Sequence, residues 1–301
     1  MEVLSYQIIS RVIILTSISI VFFLTVFHHF NGTTQATHLH THTDVRILPD
    51  YCNQSLLNSD NHALPDFFCC TKMNPPCFSM RLFGRDVRYT FFHTHAKIDF
   101  PIGVLSYKKE RRDLVRNTWA FGQAGVFFFV GKRDGVWPID EFYYLKDLVL
   151  VDIEEEYQGV NSSLSFKTNV LFHMMHAAFI NFSYLLKTDD DSYVDLTGLK
   201  LEIRKLRPHY WGKVKQNQVV VRKLKSSWYI SKELYKRKKF PDYCLGAGYI
   251  VSYKTVTCFL TKMESHVNMQ LLEDVSTGLL VKNACLNFLH LFIYFFPPIK
   301  C

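Results

Sequence analysis

Several familiar signatures are missing from this sequence, and each absence removes a class of function. The 301 residues carry a formal net charge of +8, but the basic residues form short clusters, such as 236–239, without any recognisable nucleic-acid-binding module. Cys69, Cys70 and Cys77 do not have the spacing of a zinc site, which favours disulfides in that stretch. From residue 101 onward there is no internal repeat and no low-complexity tract. We therefore expect a folded protein with no nucleic-acid partner.

The first 30 residues contain an apolar segment that predicts a membrane anchor. The apolar part, Val12 to Phe27, has about the minimum length of a spanning helix. A cleaved signal peptide is the alternative, but no small-x-small cleavage site follows the segment. Arg11 precedes it and favours a cytoplasmic N-terminus. We predict four regions, which are a cytoplasmic tail at 1–11, a transmembrane anchor at 12–30, a lumenal stem and Cys-rich lead-in at 31–95, and a catalytic domain at 96–301.

Two further features agree with a lumenal body. N-x-Ser/Thr acceptors occur at Asn31, Asn53, Asn161 and Asn181, and the last three are our candidates for N-glycosylation. The chain also has eight cysteines, whose pairing cannot be read from sequence.

Apolar runs alternate with helical patterns from about Pro101 onward. We predict strands at 102–107, 126–131, 148–153 and 182–188, with helices at 111–119, 138–146 and 164–180 between them. This alternation is typical of βαβ units, which build a mostly parallel sheet covered by helices on both faces. In such sheets, ligands bind at the carboxyl ends of the strands.

An acidic triplet follows the last of these strands directly. Residues two apart on extended backbone point the same way, so Asp189 and Asp191 can face one side while Asp190 faces the other. Two carboxylates on one side suit Mn²⁺ or Mg²⁺, which fill their remaining positions with phosphate oxygens and water. The alternative is a solvated acidic turn. The buried strand before the triplet and the apolar residues after it favour the metal site.

Five blocks, taken in order, resemble one known family. They are a strand followed by RRDLVRNTW at 111–119, EEEYQGVNSSLSFKTNV at 154–170, KTDDDSYV at 187–194, SSWYISKELYKRKKFPDYCLGAGYIVS at 226–252, and the E-D-V tripeptide at 273–275. In this combination the chain resembles the β-1,3-galactosyltransferases and β-1,3-N-acetylglucosaminyltransferases of glycosyltransferase family 31. The resemblance implies an α/β fold of the GT-A nucleotide-diphospho-sugar transferase type, a type II Golgi membrane protein, a UDP-sugar donor (UDP-galactose first) and Mn²⁺. The acceptor is expected to be a glycan on a glycoprotein or a glycolipid.

The resemblance also implies roles for individual residues. Asp274 is expected to be the catalytic base, with Glu273 as the fallback, and Asp191 and Asp189 to be the metal ligands. The donor-binding candidates are Asp189, Asp190, Arg112, Arg116 and Tyr249. Guanidinium groups recognise phosphate well, but arginines on an amphipathic helix are equally often plain surface charge. Tyr249 lies in a segment whose two glycines allow close backbone approach, and simple packing is the competing explanation.

The end of the chain departs from the family pattern. Family members usually continue for some tens of residues beyond E-D-V, whereas this chain runs through an apolar stretch at 286–296 and stops. That stretch is too short to cross a bilayer. A catalytically inactive lumenal glycosyltransferase-like protein, acting as a partner or chaperone, is therefore the second hypothesis. The intact acidic residues favour an enzyme.

Overall fold

The computed structural model of this protein describes residues 46–47, 75–92, 98–156, 162–178, 182–266 and 271–285. Several sequence predictions lie outside these ranges, namely the anchor at 12–30, the glycosylation candidates Asn53, Asn161 and Asn181, and the apolar stretch at 286–296. Among the described residues, every helix is too short or too polar to cross a bilayer.

The described elements alternate between strands and helices in the central part of the chain. The strands are β1 (Arg46–Ile47), β2 (Cys77–Leu82), β3 (Arg85–Phe91), β4 (Ile102–Leu105), β5 (Val126–Lys132), β6 (Leu148–Glu154), β7 (Tyr184–Asp189), β8 (Tyr210–Lys215) and β9 (Tyr243–Ser252). The helices are α1 (Lys109–Asn117), α2 (Ile139–Leu145), α3 (Ser163–Ala178), α4 (Leu196–Leu206), α5 (Tyr253–His266) and α6 (Glu273–Ala284).

The nine strands in the described ranges form one sheet in the order β1-β2-β3-β6-β5-β4-β7-β9-β8. Strands β6, β5, β4 and β7 run parallel to one another, because each connection between them passes through a helix. All the other pairings are antiparallel. The expected alternation of strands and helices is confirmed, but the expectation of a mostly parallel sheet is wrong, since antiparallel strands flank a parallel centre on both sides.

A tight hairpin accounts for one antiparallel flank. Phe83 and Gly84, between β2 and β3, both have positive φ angles of 51° and 81°, the conformation that suits the twist of two-residue hairpins. Strand β3 then pairs with β6. Residues 77–91, which the sequence analysis assigned to the lead-in before residue 96, therefore belong to the same sheet as the parallel strands.

Helices cover both faces of the sheet, as the sequence predicted. Alternate residues of β5 and β6 enter two separate hydrophobic clusters, because successive side chains of a strand point to opposite faces. One cluster contains residues of α3, α5 and α6. The other contains residues of α1, α2 and α4. A disulfide between Cys258 and Cys285 links α5 to the end of α6, a pairing that the sequence left open.

Candidate active site

The acidic triplet lies at the point where the order of the parallel strands reverses. From β4 the chain proceeds to β5 on one side, whereas β7 lies against the other side of β4. Leu105, the last residue of β4, is the register partner of Asp189 at the end of β7. Ligands of open α/β sheets bind at such a switch point, outside the carboxyl ends of the strands. The position of the triplet is therefore that of a ligand site.

Asp190 points into the protein and joins the two strand ends. Its side chain is 0% exposed, and its Oδ2 accepts hydrogen bonds from Ser106 Oγ (2.9 Å) and the Tyr107 N–H (3.0 Å). Arg111 donates to Asp190 Oδ1 and to Asp191 Oδ2, both at 3.2 Å. The sequence analysis placed Asp190 at the donor, but the structure uses its carboxylate to hold the loop after β4 against the loop after β7.

Asp189 and Asp191 are the outward members of the triplet, as the alternation predicted. Their side chains are 20% and 56% exposed. In the described part of the chain, no three His, Cys, Asp or Glu side chains converge as a ligand cage. Two carboxylates at the carboxyl edge of the sheet nevertheless fit Mn²⁺ or Mg²⁺, since these hard cations take few protein ligands when substrate phosphates supply the rest.

 Lys187 connects the triplet to β9 and α6. Its ammonium group is fully buried and donates to Asp189 Oδ1 (2.9 Å), Glu273 Oε2 (3.1 Å) and the Gly246 carbonyl (2.6 Å). Burial opposes the charged form of Lys187, but Asp189 and Glu273 outweigh it and hold its pKa above the usual value. This lysine joins β7, β9 and α6, and the sequence analysis assigned it no role.

Glu273, the first residue of α6, is occupied by internal contacts. Besides the bond from Lys187, its Oε1 accepts hydrogen bonds from Tyr249 Oη (2.7 Å) and Thr168 Oγ1 (3.1 Å). The side chain is buried, and so is that of Tyr249, which is 1% exposed. Glu273 therefore fixes the start of α6 to the sheet. Tyr249 donates a hydrogen bond to Glu273 and does not face an open donor site.

Asp274 lies beside this cluster and is the less buried of the two acidic residues. Burial, reinforced by the charge of Glu273, raises the pKa of Asp274 to about 6. Gly246 packs so closely here that a Cβ on it would lie 3.0 Å from Glu273 Oε2 and 3.7 Å from Asp274 Cβ. Burial and Asp274 also raise the pKa of Tyr243 to about 12. The structure therefore brings Asp274 to the same edge as Asp189, with Lys187 and Glu273 connecting them.

Arg112 and Arg116 hold α1 in place and do not face the acidic edge. Arg112 is 2% exposed and donates to both carboxylate oxygens of Glu141 and to Ser106 Oγ. Arg116 forms ion pairs with Glu141 and Asp147. A donor contact requires an accessible guanidinium, so the structure favours packing roles for both. Arg111, on the same helix, is the arginine that reaches the triplet.

The start of α3 is tied to both sides of the site. The Lys167 ammonium is buried and donates to the Ser106 carbonyl (2.9 Å) and to Glu155 Oε1 (2.8 Å). Its neighbour Thr168 donates to Glu273. Burial lowers the pKa of Lys167, and Glu155 acts against that effect. The sequence analysis noted this Lys-Thr pair only as part of a motif, and the structure shows what the pair binds.

A surface pocket of about 260 Å³ lies further along α6. Gly278 and Lys282 line it from the helix, and Asn217, Phe240 and Asp242 line it from the opposite side. Gly278 comes four residues after Asp274, which places it about 6 Å further along the helix axis on the same face. The pocket therefore begins about one helical turn beyond Asp274 and follows the second half of α6.

Known proteins are similar to this chain over more than half of its length. A family profile described as galactosyltransferase matches residues 110–291. A gorilla protein named beta-1,3-galactosyltransferase 5 is 30% identical over 252 residues, which cover 78% of this chain and 84% of that protein. The mouse protein of the same name is 27% identical over 67% of this chain and 73% of its own length. Mouse beta-1,3-galactosyltransferase 1 is 25% identical over 58% of this chain and 56% of its own length.

Proposed function

Because the chain belongs to the galactosyltransferase family and is thus a hexosyltransferase, we propose that it transfers galactose from UDP-galactose to a glycan hydroxyl in β-1,3 linkage. The family implies a nucleotide-sugar donor and a glycan acceptor. The choice of UDP-galactose and of the linkage rests on the names of the relatives, since discrimination between related sugars depends on a few pocket contacts.

One observation carries the proposal. Asp274 and the two outward carboxylates of the triplet, Asp189 and Asp191, lie at one edge of the sheet. Glu273 and Lys187 connect them. A sugar nucleotide whose diphosphate lies near Asp191 and Asp189 would present its sugar within the same edge. No such arrangement is needed by a protein that only packs a core, because buried and clustered acidic groups are costly.

Asp274 is proposed to act as the general base of an inverting transfer. The acceptor oxygen attacks the anomeric carbon, the bond from that carbon to the diphosphate oxygen breaks, and the acceptor proton passes to Asp274 as UDP leaves. With a pKa of about 6, this carboxylate is ionised at neutral pH and is a better proton acceptor than an ordinary aspartate. Glu273 has each oxygen engaged by a donor, which makes it a positioning residue.

The metal belongs to the proposal as well. Asp191 and Asp189 would hold Mn²⁺ or Mg²⁺, and such a cation would supply positive charge to offset the charge that develops on the leaving diphosphate. Lys187 keeps Asp189 oriented, and Arg111 holds Asp191 from the other side. Arg111 is 42% exposed, and it is proposed to contact the donor diphosphate in place of Arg112 and Arg116.

The acceptor is proposed to enter along α6. The pocket that begins one helical turn beyond Asp274 combines an aromatic wall with exposed polar groups, a lining that suits a saccharide. The proposed setting is the Golgi lumen, with residues 12–30 as the anchor of a type II membrane protein.

A donor-selection assay tests the function. The purified chain is incubated with Mn²⁺, a panel of glycan acceptors and UDP-galactose, UDP-N-acetylglucosamine or UDP-N-acetylgalactosamine in turn. We expect a disaccharide linkage only with UDP-galactose and full dependence on Mn²⁺. Asp274→Asn should still bind UDP but transfer at least about 100-fold more slowly. UDP binding without transfer to any acceptor would favour the inactive partner or chaperone. Undiminished transfer by Asp274→Asn would remove Asp274 from the base role.

A further inference from the structure

One segment accounts for the whole net positive charge of the protein. Residues 213–239, here called the basic lobe, contain ten Lys or Arg residues and one acidic residue, Glu233, for a net charge of +9. The complete chain has 35 basic and 27 acidic residues and a net charge of +8. The rest of the chain therefore has 25 basic and 26 acidic residues, or a net charge of −1. A charge concentrated in this way indicates an anionic partner at the lobe.

Eight of the ten cations of the lobe are exposed to solvent. They are Lys213, Lys223, Lys225, Lys232, Lys236, Arg237, Lys238 and Lys239. Three large apolar side chains are exposed among them, with Val219 at 66%, Leu224 at 78% and Trp228 at 60%. Apolar and aromatic side chains mixed with lysines are typical of surfaces that rest on a bilayer.

The lobe has a fixed shape. Arg222 donates to four backbone carbonyls, at Ile230 (2.7 Å), Ser231 (2.6 Å), Tyr235 (2.5 Å) and Arg237 (2.9 Å). These bonds draw the two halves of the lobe together. Other lobe residues, including Val220 and Ile230, pack in a hydrophobic cluster with Val275 of α6. The exposed cations are thus presented by an ordered scaffold next to the helix that begins with Glu273 and Asp274.

The residue types in the basic lobe favour a lipid surface over a discrete anionic group as its partner. Eight of the ten cations in the lobe are lysines, which act as flexible point charges, whereas bidentate recognition of single carboxylate, sulfate or phosphate groups is the strength of arginine. Exposed Leu224 and Trp228 gain nothing from a soluble polyanion. They do gain from the interface of a bilayer, where aromatic rings and leucine are favoured.

We propose that the basic lobe docks onto a bilayer surface that contains anionic lipid headgroups, with Trp228 and Leu224 entering the interface and the lysines lying against the headgroups. Docking holds the start of α6, and Asp274 with it, close to the membrane. The proposal does not require transfer activity, so it can fail or succeed independently of the proposed function.

Tryptophan fluorescence provides a direct test in the full-length chain. The four tryptophans are Trp119, Trp137, Trp211 and Trp228, and the first three are at most 9% exposed. The chain is incorporated into vesicles of phosphatidylcholine, or of phosphatidylcholine with roughly 30% phosphatidylserine as the anionic lipid. The acyl chains are brominated to quench nearby indole rings. We expect strong quenching in the anionic vesicles only, and its loss in Trp228→Phe and in 0.5 M salt, a screening condition of roughly 4 Å Debye length.

Matched charge variants locate the docking surface. Replacing Lys236, Arg237, Lys238 and Lys239 with Gln should weaken lobe docking by about 100- to 1,000-fold, seen as the loss of quenching in anionic vesicles. The control replaces four exposed cations outside the lobe, Arg204, Lys205, Arg207 and Lys254, with Gln and should keep the quenching. Circular dichroism of both variants confirms equal folding.

Three results would overturn the proposal. The first is equal quenching in neutral and anionic vesicles, and the second is equal loss in the lobe and control variants. The third is an absence of quenching in anionic vesicles combined with lobe-dependent retention on an immobilised sulfated polysaccharide, which would assign the lobe to a soluble polyanion.

Discussion

Replacing Asp274 with asparagine should stabilise the protein while it removes the proposed base. The pKa of Asp274 is raised from 3.8 to about 6 by burial and by the charge of Glu273, so the folded state binds its proton more tightly than the unfolded state does. Ionising Asp274 therefore costs folding free energy. Asparagine cannot ionise, and its side-chain oxygen can still accept the hydrogen bond that Asp274 Oδ1 receives from the Val275 N–H.

The size of the effect follows from the pKa difference. A rise of about 2 pKa units corresponds to about 3 kcal/mol when the group is fully ionised. Asp274 keeps some contact with solvent, which screens the penalty. We therefore expect Asp274→Asn to raise the free energy of unfolding by about 1–2 kcal/mol at neutral pH.

The stability difference between the wild type and Asp274→Asn should depend on pH. Below pH 3.8 the wild-type carboxyl is protonated in both states, so the two proteins should be equally stable. As pH rises through the folded pKa of about 6, the wild type loses stability relative to the variant, and above that pH the difference is constant. Urea unfolding at pH 4 and pH 8 measures both ends of this range.

A matched control separates burial from charge. Asp134 has a side chain that is 93% exposed, so Asp134→Asn should leave the stability unchanged at both pH values. Transfer by Asp274→Asn should fall by about 100-fold or more, the usual contribution of a general base. If Asp274→Asn is no more stable than the wild type at pH 8, or gains equally at pH 4, the argument from the buried carboxylate is refuted.

Three other substitutions test the structure. Lys187→Met leaves the buried Glu273 and the partly exposed Asp189 without their buried cation and should cost about 3–5 kcal/mol in urea unfolding. A loss below 1 kcal/mol would contradict these ion pairs. In Gly278→Ala the new Cβ would lie 2.4 Å from Tyr243 Cβ, so a cost of about 1–3 kcal/mol is expected, and an unchanged melting temperature would contradict this close packing. Cys285→Ser opens a disulfide across a sequence separation of 27 from Cys258 and should cost about 3 kcal/mol. A reducing agent should destabilise the wild type by more than it destabilises this variant.

Much of the centre of the fold could be predicted because its signals are local. The strands β4, β5, β6 and β7 are buried on both faces, so each forms a nearly continuous apolar run. The triplet could also be placed at a strand end, since Asp189 follows such a run directly. The alternation of Asp189, Asp190 and Asp191 followed from extended backbone alone.

The partners of the charged residues could not be predicted, because they depend on contacts between distant parts of the chain. Arg112 and Glu141 are 29 residues apart, and Lys187 and Glu273 are 86 apart. Sequence shows that each can be charged but not which side chain neutralises it. The hairpin at Phe83 and Gly84 was missed for another reason, since a phenylalanine rarely adopts a positive φ angle. Lys187 did have a local signal, as it lies two residues before Asp189 on the same strand.

The bond between Lys187 and Glu273 also orders events during biosynthesis. The ribosome adds the carboxylate 86 residues after the lysine, which takes roughly 4–17 s at ordinary elongation rates. Until then the middle of the sheet cannot close without desolvating a cation that has only Asp189, one of its two counter-ions. The nascent domain should therefore stay open between β7 and the site of α6, and accessible to chaperones, until α6 has been made. The interior of the domain and the acidic edge of the sheet are then completed in the same step.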